Sequence, residues 1–252
     1  MPPRKEDLVA WGGRAMSTAR RLLRRTGFDL IRYHHTSHPV ARLLRLLEHH
    51  GVRQIFDVGA NVGQYGMFMR RNGYRGRLVS FEPLSGALPL LRQRAEADGD
   101  WKVVPFGLGD VDGEATINVA GNSESSSFLD MLPRHTEVMP VAGYVGTETV
   151  TIHRLDSVID AHATPGEPLF VKLDAQGFER KILDGAAQSL PRIAGLQVEL
   201  SPSPLYAGEA PLGEMVQYLA ERGFVLMGVE PGWSHGSTGQ LMQMDGVFFR
   251  QA

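Results

Sequence analysis

Glu82, Asp174 and Glu199 each close, or nearly close, an apolar run rich in β-formers: Leu78-Val79-Ser80-Phe81-Glu82, Leu169-Phe170-Val171-Lys172-Leu173-Asp174 and Leu196-Gln197-Val198-Glu199-Leu200. Such runs read as buried parallel strands, and strands laid side by side bring their terminal carboxylates to one sheet edge. Carboxylates gathered there suit two chemistries. One of them, Asp174 first, can take a proton from a hydroxyl, with His153, His235 and Asp245 as further bases. Alternatively Asp174 and Glu199 together can hold a magnesium ion that positions and acidifies the hydroxyl, because hard oxygen donors suit that ion. The convergence of two carboxylates favours the metal version. Against both stands a plainer role, in which Asp174 caps the following helix or touches a cofactor and Glu199 pairs with Lys172 or an arginine.

The element that must position them is Ile55-Phe56-Asp57-Val58-Gly59-Ala60-Asn61-Val62-Gly63-Gln64-Tyr65-Gly66. It reads as strand, tight turn and helix. Glycines at 59 and 63 tolerate positive φ and let the backbone approach a ligand, and the helix start offers free N–H groups to an anion. Glu82 falls about 20 residues beyond these glycines and precedes Pro83, where open α/β folds place an acid that accepts ribose hydroxyls. The glycines do not spell Gly-x-Gly-x-x-Gly, and no Lys-Ser/Thr pair follows as in a P-loop. Asp57 ahead of the first glycine fits an S-adenosylmethionine (SAM) site better. The expected cofactor contacts are Asp57, Gly59, Ala60, Asn61, Gly63 and Tyr65 from the turn, with Glu82, Pro83 and Asp174 beside it.

Phe56-Asp57-Val58-Gly59-Ala60-Asn61-Val62-Gly63-Gln64-Tyr65, then Phe81-Glu82-Pro83, then Val171-Lys172-Leu173-Asp174-Ala175-Gln176-Gly177-Phe178-Glu179 resemble the signature blocks of the FkbM family of SAM-dependent O-methyltransferases. The similarity runs from about Val52 to Arg250 and leaves the first fifty residues uncovered. Many members carry Glu where this chain has Gln176, so one candidate charge is missing. The resemblance implies a Rossmann-like class I methyltransferase domain over residues 51–252, with a doubly wound, mostly parallel seven-stranded sheet and an antiparallel C-terminal hairpin. It implies that backbone at Gly107 and Leu108 frames an adenine ring. It also implies methylation of hydroxyls on glycans, glycolipids or polyketides, of which a carbohydrate is preferred. The serine-rich stretch Gly121 to Tyr144, with Ser126, is expected to close as a lid on cofactor and acceptor. Tyr206 and Trp233 offer flat faces for a sugar ring.

The alternation of strand and helix patterns predicts one parallel-rich sheet with an antiparallel end. Residues 1–50 form an N-terminal helical extension, with an amphipathic helix from Arg14 to Arg25 and a second from Pro39 to His50. That end holds ten Lys/Arg against four Asp/Glu, although the whole chain carries a net charge of -2. The first helix is read as packed on the domain in preference to attachment to an anionic membrane surface, because its apolar face is small. His34, His35 and His38 lack the carboxylates and spacing of a metal site.

A hydrophobic fraction of 42% and a charged fraction of 21% exclude a disordered chain. Zero cysteines exclude disulfides and thiolate chemistry. No apolar signal core or run of eighteen apolar residues is present, so the cytoplasm is the expected compartment. A nicotinamide-dependent oxidoreductase shares the turn and the acid but lacks the glycine spelling and a Tyr-x-x-x-Lys. A non-catalytic SAM-binding module is disfavoured by Asp174 and Glu199. The acidic body and the missing Asn/Asp-Pro-Pro-Tyr argue against nucleic acid as the acceptor. The sequence leaves a homodimer open.

Overall fold

The computed structural model describes residues 19–251. The chain divides into compact units between Arg42 and Leu43. In the first, residues 19–24 are helical; the rest of the expected helix from Arg14 lies outside the described residues.

The larger unit is built on a seven-stranded sheet. Its strands are β1 (Gln54–Val58), β2 (Arg77–Phe81), β3 (Trp101–Val104), β7 (Leu169–Leu173), β8 (Ile193–Leu200), β9 (Phe224–Pro231) and β10 (Met244–Arg250), in the order β3-β2-β1-β7-β8-β10-β9. β1 pairs in parallel with both β2 and β7, and β8 continues the parallel ladder from β7. β10 slots between β8 and β9 and runs antiparallel to both, which makes the expected terminal hairpin.

Alternating side chains along each strand feed two cores. Phe56, Val58, Val171, Leu173, Leu196 and Val198 face α5 (Leu155–His162), α6 (Glu179–Asp184) and α7 (Leu212–Glu221). Ile55, Leu78, Phe170 and Val247 face the other way, onto α1 (Pro39–His49), α2 (Gln64–Arg71) and α3 (Leu88–Glu96). Helices on both faces leave the crevice at the carboxyl ends of β1 and β7, where strand order reverses, as the place for a ligand.

A second sheet was not foreseen. β4 (Gly107–Leu108), β5 (Gly113–Ala120) and β6 (Tyr144–His153) pair in the order β4-β6-β5. The serine-rich stretch is tied to this sheet by mutual backbone bonds between Asn118 and Ser127, and it carries the short helix α4 (Pro133–Val138). α3 starts at Leu88, with Pro89 tolerated in its first turn, and α6 stops at Asp184. At Gly185 the backbone packs on Gly109, where a Cβ would collide with the Gly109 carbonyl oxygen. Among the described residues no helix is long and apolar enough to cross a membrane.

Candidate functional site

The glycine turn is compressed between β2 and β7. Gly59 N and Ala60 N both donate to Phe81 O at 3.1 Å, and Asp174 N donates to Val58 O at 3.1 Å. Gly59 sits at φ +76°, and a Cβ there would overlap the Asp174 carbonyl oxygen. A glycine is therefore required twice over, by conformation and by space. Asn61 follows at φ +46°, which turns its N–H onto Glu82.

Glu82 is buried at the lip of a narrow slot. Its Oε2 accepts from Asn61 N and its Oε1 from Leu84 N, each at 2.7 Å. Burial pushes the Glu82 carboxyl up to about 7, against those two backbone bonds, which pull it down. The slot is walled by Pro83, Leu108, Phe128 and Ile182, with Gly107 and Ser126 in its lining. A Cβ at Gly107 would come within 3.3 Å of the Phe128 ring, so the absence of a side chain keeps the slot open. Apolar walls with a carboxylate in the lining have the chemistry that an adenine ring and a ribose diol call for. Each Glu82 oxygen keeps a lone pair beyond its backbone bond for a hydroxyl donor.

Gly59, Asn61, Glu124, Asp174 and Gln176 line both this slot and a neighbouring cavity of about 400 Å³. Tyr65, Phe68 and Trp233 give it aromatic surface, and Asp174, Glu199, Asp245, Gln197 and Gln243 give it polar surface. Lys172 lies buried beneath this cluster. Its Nζ is 2.8 Å from Asp174 Oδ2 and 3.6 Å from Asp57 Oδ1, and it stands over the Tyr65 ring. Burial alone would pull the ammonium down, but Asp174 and Asp57 together outweigh it and push Lys172 above its ordinary value. Asp57 is fully buried; burial raises its carboxyl, while Lys172 and a 3.2 Å bond from Ser80 Oγ hold it back.

Gln176 links the two carboxylates expected to hold magnesium. Its Nε2 donates to Asp174 Oδ1 at 2.9 Å and to Glu199 Oε2 at 2.7 Å, and its Oε1 accepts from the Tyr206 hydroxyl at 2.7 Å. Its backbone is at φ +54°, and its carbonyl accepts from Ser127 Oγ at 2.7 Å. Both amide hydrogens thus lie between the carboxylates, where a cation would have to sit. Burial of the Glu199 carboxyl, together with Asp174, Glu179 and Asp245, raises it well above the carboxylate range. The donor set does not fit magnesium, and no group of three or more His, Asp or Glu among the described residues is placed to hold a metal. Asp245 is pushed up to about 6 by burial and by Asp174, against Lys172 and a bond from Gln197.

Several expected site residues stand elsewhere. His153 is not in either lining; its Nδ1 lies 3.1 Å from Asp112 Oδ1, and its ring packs on Phe106. His235 is also outside both linings, and its ring nitrogen serves its own loop through Ser237. Gly63 caps α2 at φ +90° with its α-carbon toward Leu91 and Trp101, not toward the slot. Asp57 lies beneath the site and reaches it through Lys172. Tyr206 cannot stack on a ligand: it is fully buried, with its hydroxyl on Gln176. Ser126 lines the slot, not the larger cavity, and its Oγ accepts from Ala120 N. Trp233 lines the larger cavity, steadied by a bond from Nε1 to Gln243.

Lys172 and Gln197 were missed as site residues. The signal was there, because residues two apart on a strand share a face. Lys172 must follow Asp174, and Gln197 must follow Glu199. Gln197 Oε1 accepts from the Tyr65 hydroxyl at 3.1 Å.

A family model described as a methyltransferase FkbM domain matches residues 57–226. No curated protein matches the chain. Among solved structures, a methyltransferase FkbM from Methylobacillus flagellatus KT is 14% identical, with 78% of this chain and 44% of that one covered and a TM-score of 0.49. This chain therefore spans less than half the length of that protein. A magnesium protoporphyrin IX methyltransferase from Synechocystis PCC 6803, solved with SAM bound, is 9% identical over 84% of this chain and 76% of that one, with a TM-score of 0.47.

Proposed function

The chain belongs to the FkbM family of methyltransferases, and from that premise we propose that it is a SAM-dependent O-methyltransferase acting on a hydroxyl of a carbohydrate, whether oligosaccharide, polysaccharide or glycolipid. The observation that carries this reading is the wall that the two spaces share. The narrow slot lined by Glu82 shares Asp174 with an aromatic and amide-lined cavity of about 400 Å³, roomy enough for a sugar ring.

Glu82 would hold the ribose, Pro83, Leu108 and Phe128 the adenine, and Gly59 the close passage between them. Bound there, SAM supplies an electrophilic methyl group on a sulfonium. The protein's own task is to place an acceptor oxygen in line behind that methyl and to receive its proton. Asp174 borders both spaces. Lys172 and Gln176 each hold one of its oxygens, so the carboxylate is fixed in direction, and each oxygen keeps a further lone pair toward the cavity. Asp174 is the proposed base, with Asp245 as the second carboxylate near the acceptor. Aromatic faces at Tyr65 and Trp233, with amides at Gln197 and Gln243, support a polyol as acceptor, because rings stack on sugars and amides pair with hydroxyls.

Calorimetry against S-adenosylhomocysteine and, separately, NADH tests the cofactor: binding of the former alone supports the reading and binding of NADH alone overturns it. Transfer of a radiolabelled methyl to neutral oligosaccharides tests the acceptor. The expected product is an ether that survives mild alkali. An alkali-labile label would mark a methyl ester and refute hydroxyl methylation.

A further inference from the structure

Residues 20–33 lie outside the span matched by the family. They form a defined fold-back. Thr26 Oγ1 donates to Leu23 O at 2.7 Å, Phe28 N donates to Leu23 O at 3.2 Å, and Gly27 turns the chain at φ +86°. Asp29 clamps the turn: Arg20 donates to both of its oxygens, at 3.0 and 2.9 Å, and Arg24 adds a third bond at 3.0 Å.

The clamp leaves the apolar side chains outside. Phe28 is 69% exposed, Tyr33 58% and Leu22 57%, and Leu23, Leu30 and Ile31 are exposed beside them. Single exposed apolar residues are ordinary, but six large ones within twelve positions call for a covering partner. The same stretch carries Arg20, Arg21, Arg24, Arg25 and Arg32 against Asp29 alone, so the partner is anionic as well as apolar.

We propose that residues 20–33 dock this protein on an anionic bilayer surface. A membrane interface takes both components at once: apolar and aromatic side chains enter the headgroup and acyl boundary while guanidinium groups pair with lipid phosphates. Nucleic acid would satisfy the arginines but not Leu22, Leu30 and Ile31, since recognition of bases relies on planar stacking partners. Charge complementarity also confines the contact to this end. The first fifty residues carry a surplus of positive charge while the whole chain is net negative at -2, so the remainder is acidic and is repelled by the same surface.

The test is sedimentation of the full chain with vesicles of phosphatidylcholine alone and of phosphatidylcholine containing roughly one-third phosphatidylglycerol. The expected result is at least about tenfold more binding to the anionic vesicles, lost as salt is raised. Arg21→Glu with Arg25→Glu, and separately Phe28→Ser with Ile31→Ser, should each reduce that binding about tenfold or more while thermal stability and S-adenosylhomocysteine binding are retained. Absence of vesicle binding, equal binding to both compositions, or undiminished binding by either double variant overturns the proposal. So does light scattering that shows a dimer which Phe28→Ser with Ile31→Ser dissociates without change in vesicle binding, because the apolar face then serves self-association.

Discussion

Replacing Lys172 by methionine keeps the length of the side chain and removes the cation on which the buried carboxylates depend. In the native protein its Nζ lies 2.8 Å from Asp174 and 3.6 Å from Asp57, and Asp57 is fully buried with Ser80 Oγ donating to its carboxylate at 3.2 Å. Breaking a buried pair by removing one partner costs about 3–5 kcal/mol, because it strands an uncompensated charge. For a domain of this size that corresponds to a fall in melting temperature of roughly 6–20 °C. The penalty depends on pH, and its sign follows from Asp57. Burial already raises that carboxyl above its ordinary 3.8, and losing Lys172 raises it further. A group whose folded value is raised contributes stability that is fully present below the unfolded value and is lost as pH rises through the folded one. The deficit of Lys172→Met should therefore be largest near pH 8. It should shrink by up to about 1.4 kcal/mol per pH unit and per carboxylate as protonation relieves the stranded charge. The titration of Lys172 itself adds nothing in this window, because its own value is pushed above 10.5. Urea denaturation of both proteins at about pH 5.5 and 8 measures the effect. A deficit below about 1 kcal/mol that is the same at both pH values would show that Lys172 does not hold these carboxylates, and the electrostatic account of the site would fail.

Glu82 has a carboxyl pushed up to about 7 and must be ionised to accept both ribose hydroxyls, so affinity for S-adenosylhomocysteine should fall by about tenfold between pH 8 and pH 6. Glu82→Gln should weaken binding by about 1–3 kcal/mol and flatten that profile; a flat profile in the native protein would contradict the ribose assignment. Asp174→Asn should lower kcat by about 10²–10⁴ with S-adenosylhomocysteine affinity retained, and near-native turnover would remove Asp174 as the base. Gly59→Ala adds a Cβ onto the Asp174 carbonyl oxygen at φ +76°, whereas Gly73→Ala, at φ +97° with nothing within 4 Å, adds only backbone strain. The first should destabilise by at least about 2 kcal/mol more than the second in thermal denaturation, and equal losses would mean that the turn does not press on β7.

What was legible in the sequence was local. β-formers and the punctuation at Gly59 and Pro83 located the ends of β1 and β2, and the alternation of strand and helix pointed to the fold class. Glu82 fell where its distance from the glycines and the following Pro83 placed it. Beyond the C-terminal hairpin, sheet partners were not legible, because the pairing of β10 with β8 and the assembly of β4, β5 and β6 join residues far apart in the chain. The same limit explains the aromatic residues. Tyr206 and Trp233 carry one sequence signal, a large ring in a loop, yet Tyr206 is buried beneath a backbone bridge to Met131 while Trp233 borders the cavity. His153 and His235 are likewise decided by neighbours, Asp112 and Ser237, that no spacing announces.

Gln176 is the instructive case. In the sequence the resemblance to the family's signature block makes it register as a lost charge, and two nearby carboxylates then suggest a metal. In the fold the loss of charge is what allows the pair to stand together. A glutamine has two N–H donors and no ionisable group, so one side chain can satisfy Asp174 and Glu199 at once while the Tyr206 hydroxyl fixes which way its amide faces. A glutamate there would add an anion between two carboxyl groups that already have Asp245 and Asp57 nearby and share the cation of Lys172. The neutral bridge and the buried Lys172 therefore belong to one arrangement, in which the chain supplies its own donors to the acidic floor and leaves Asp174 in the lining of the cavity.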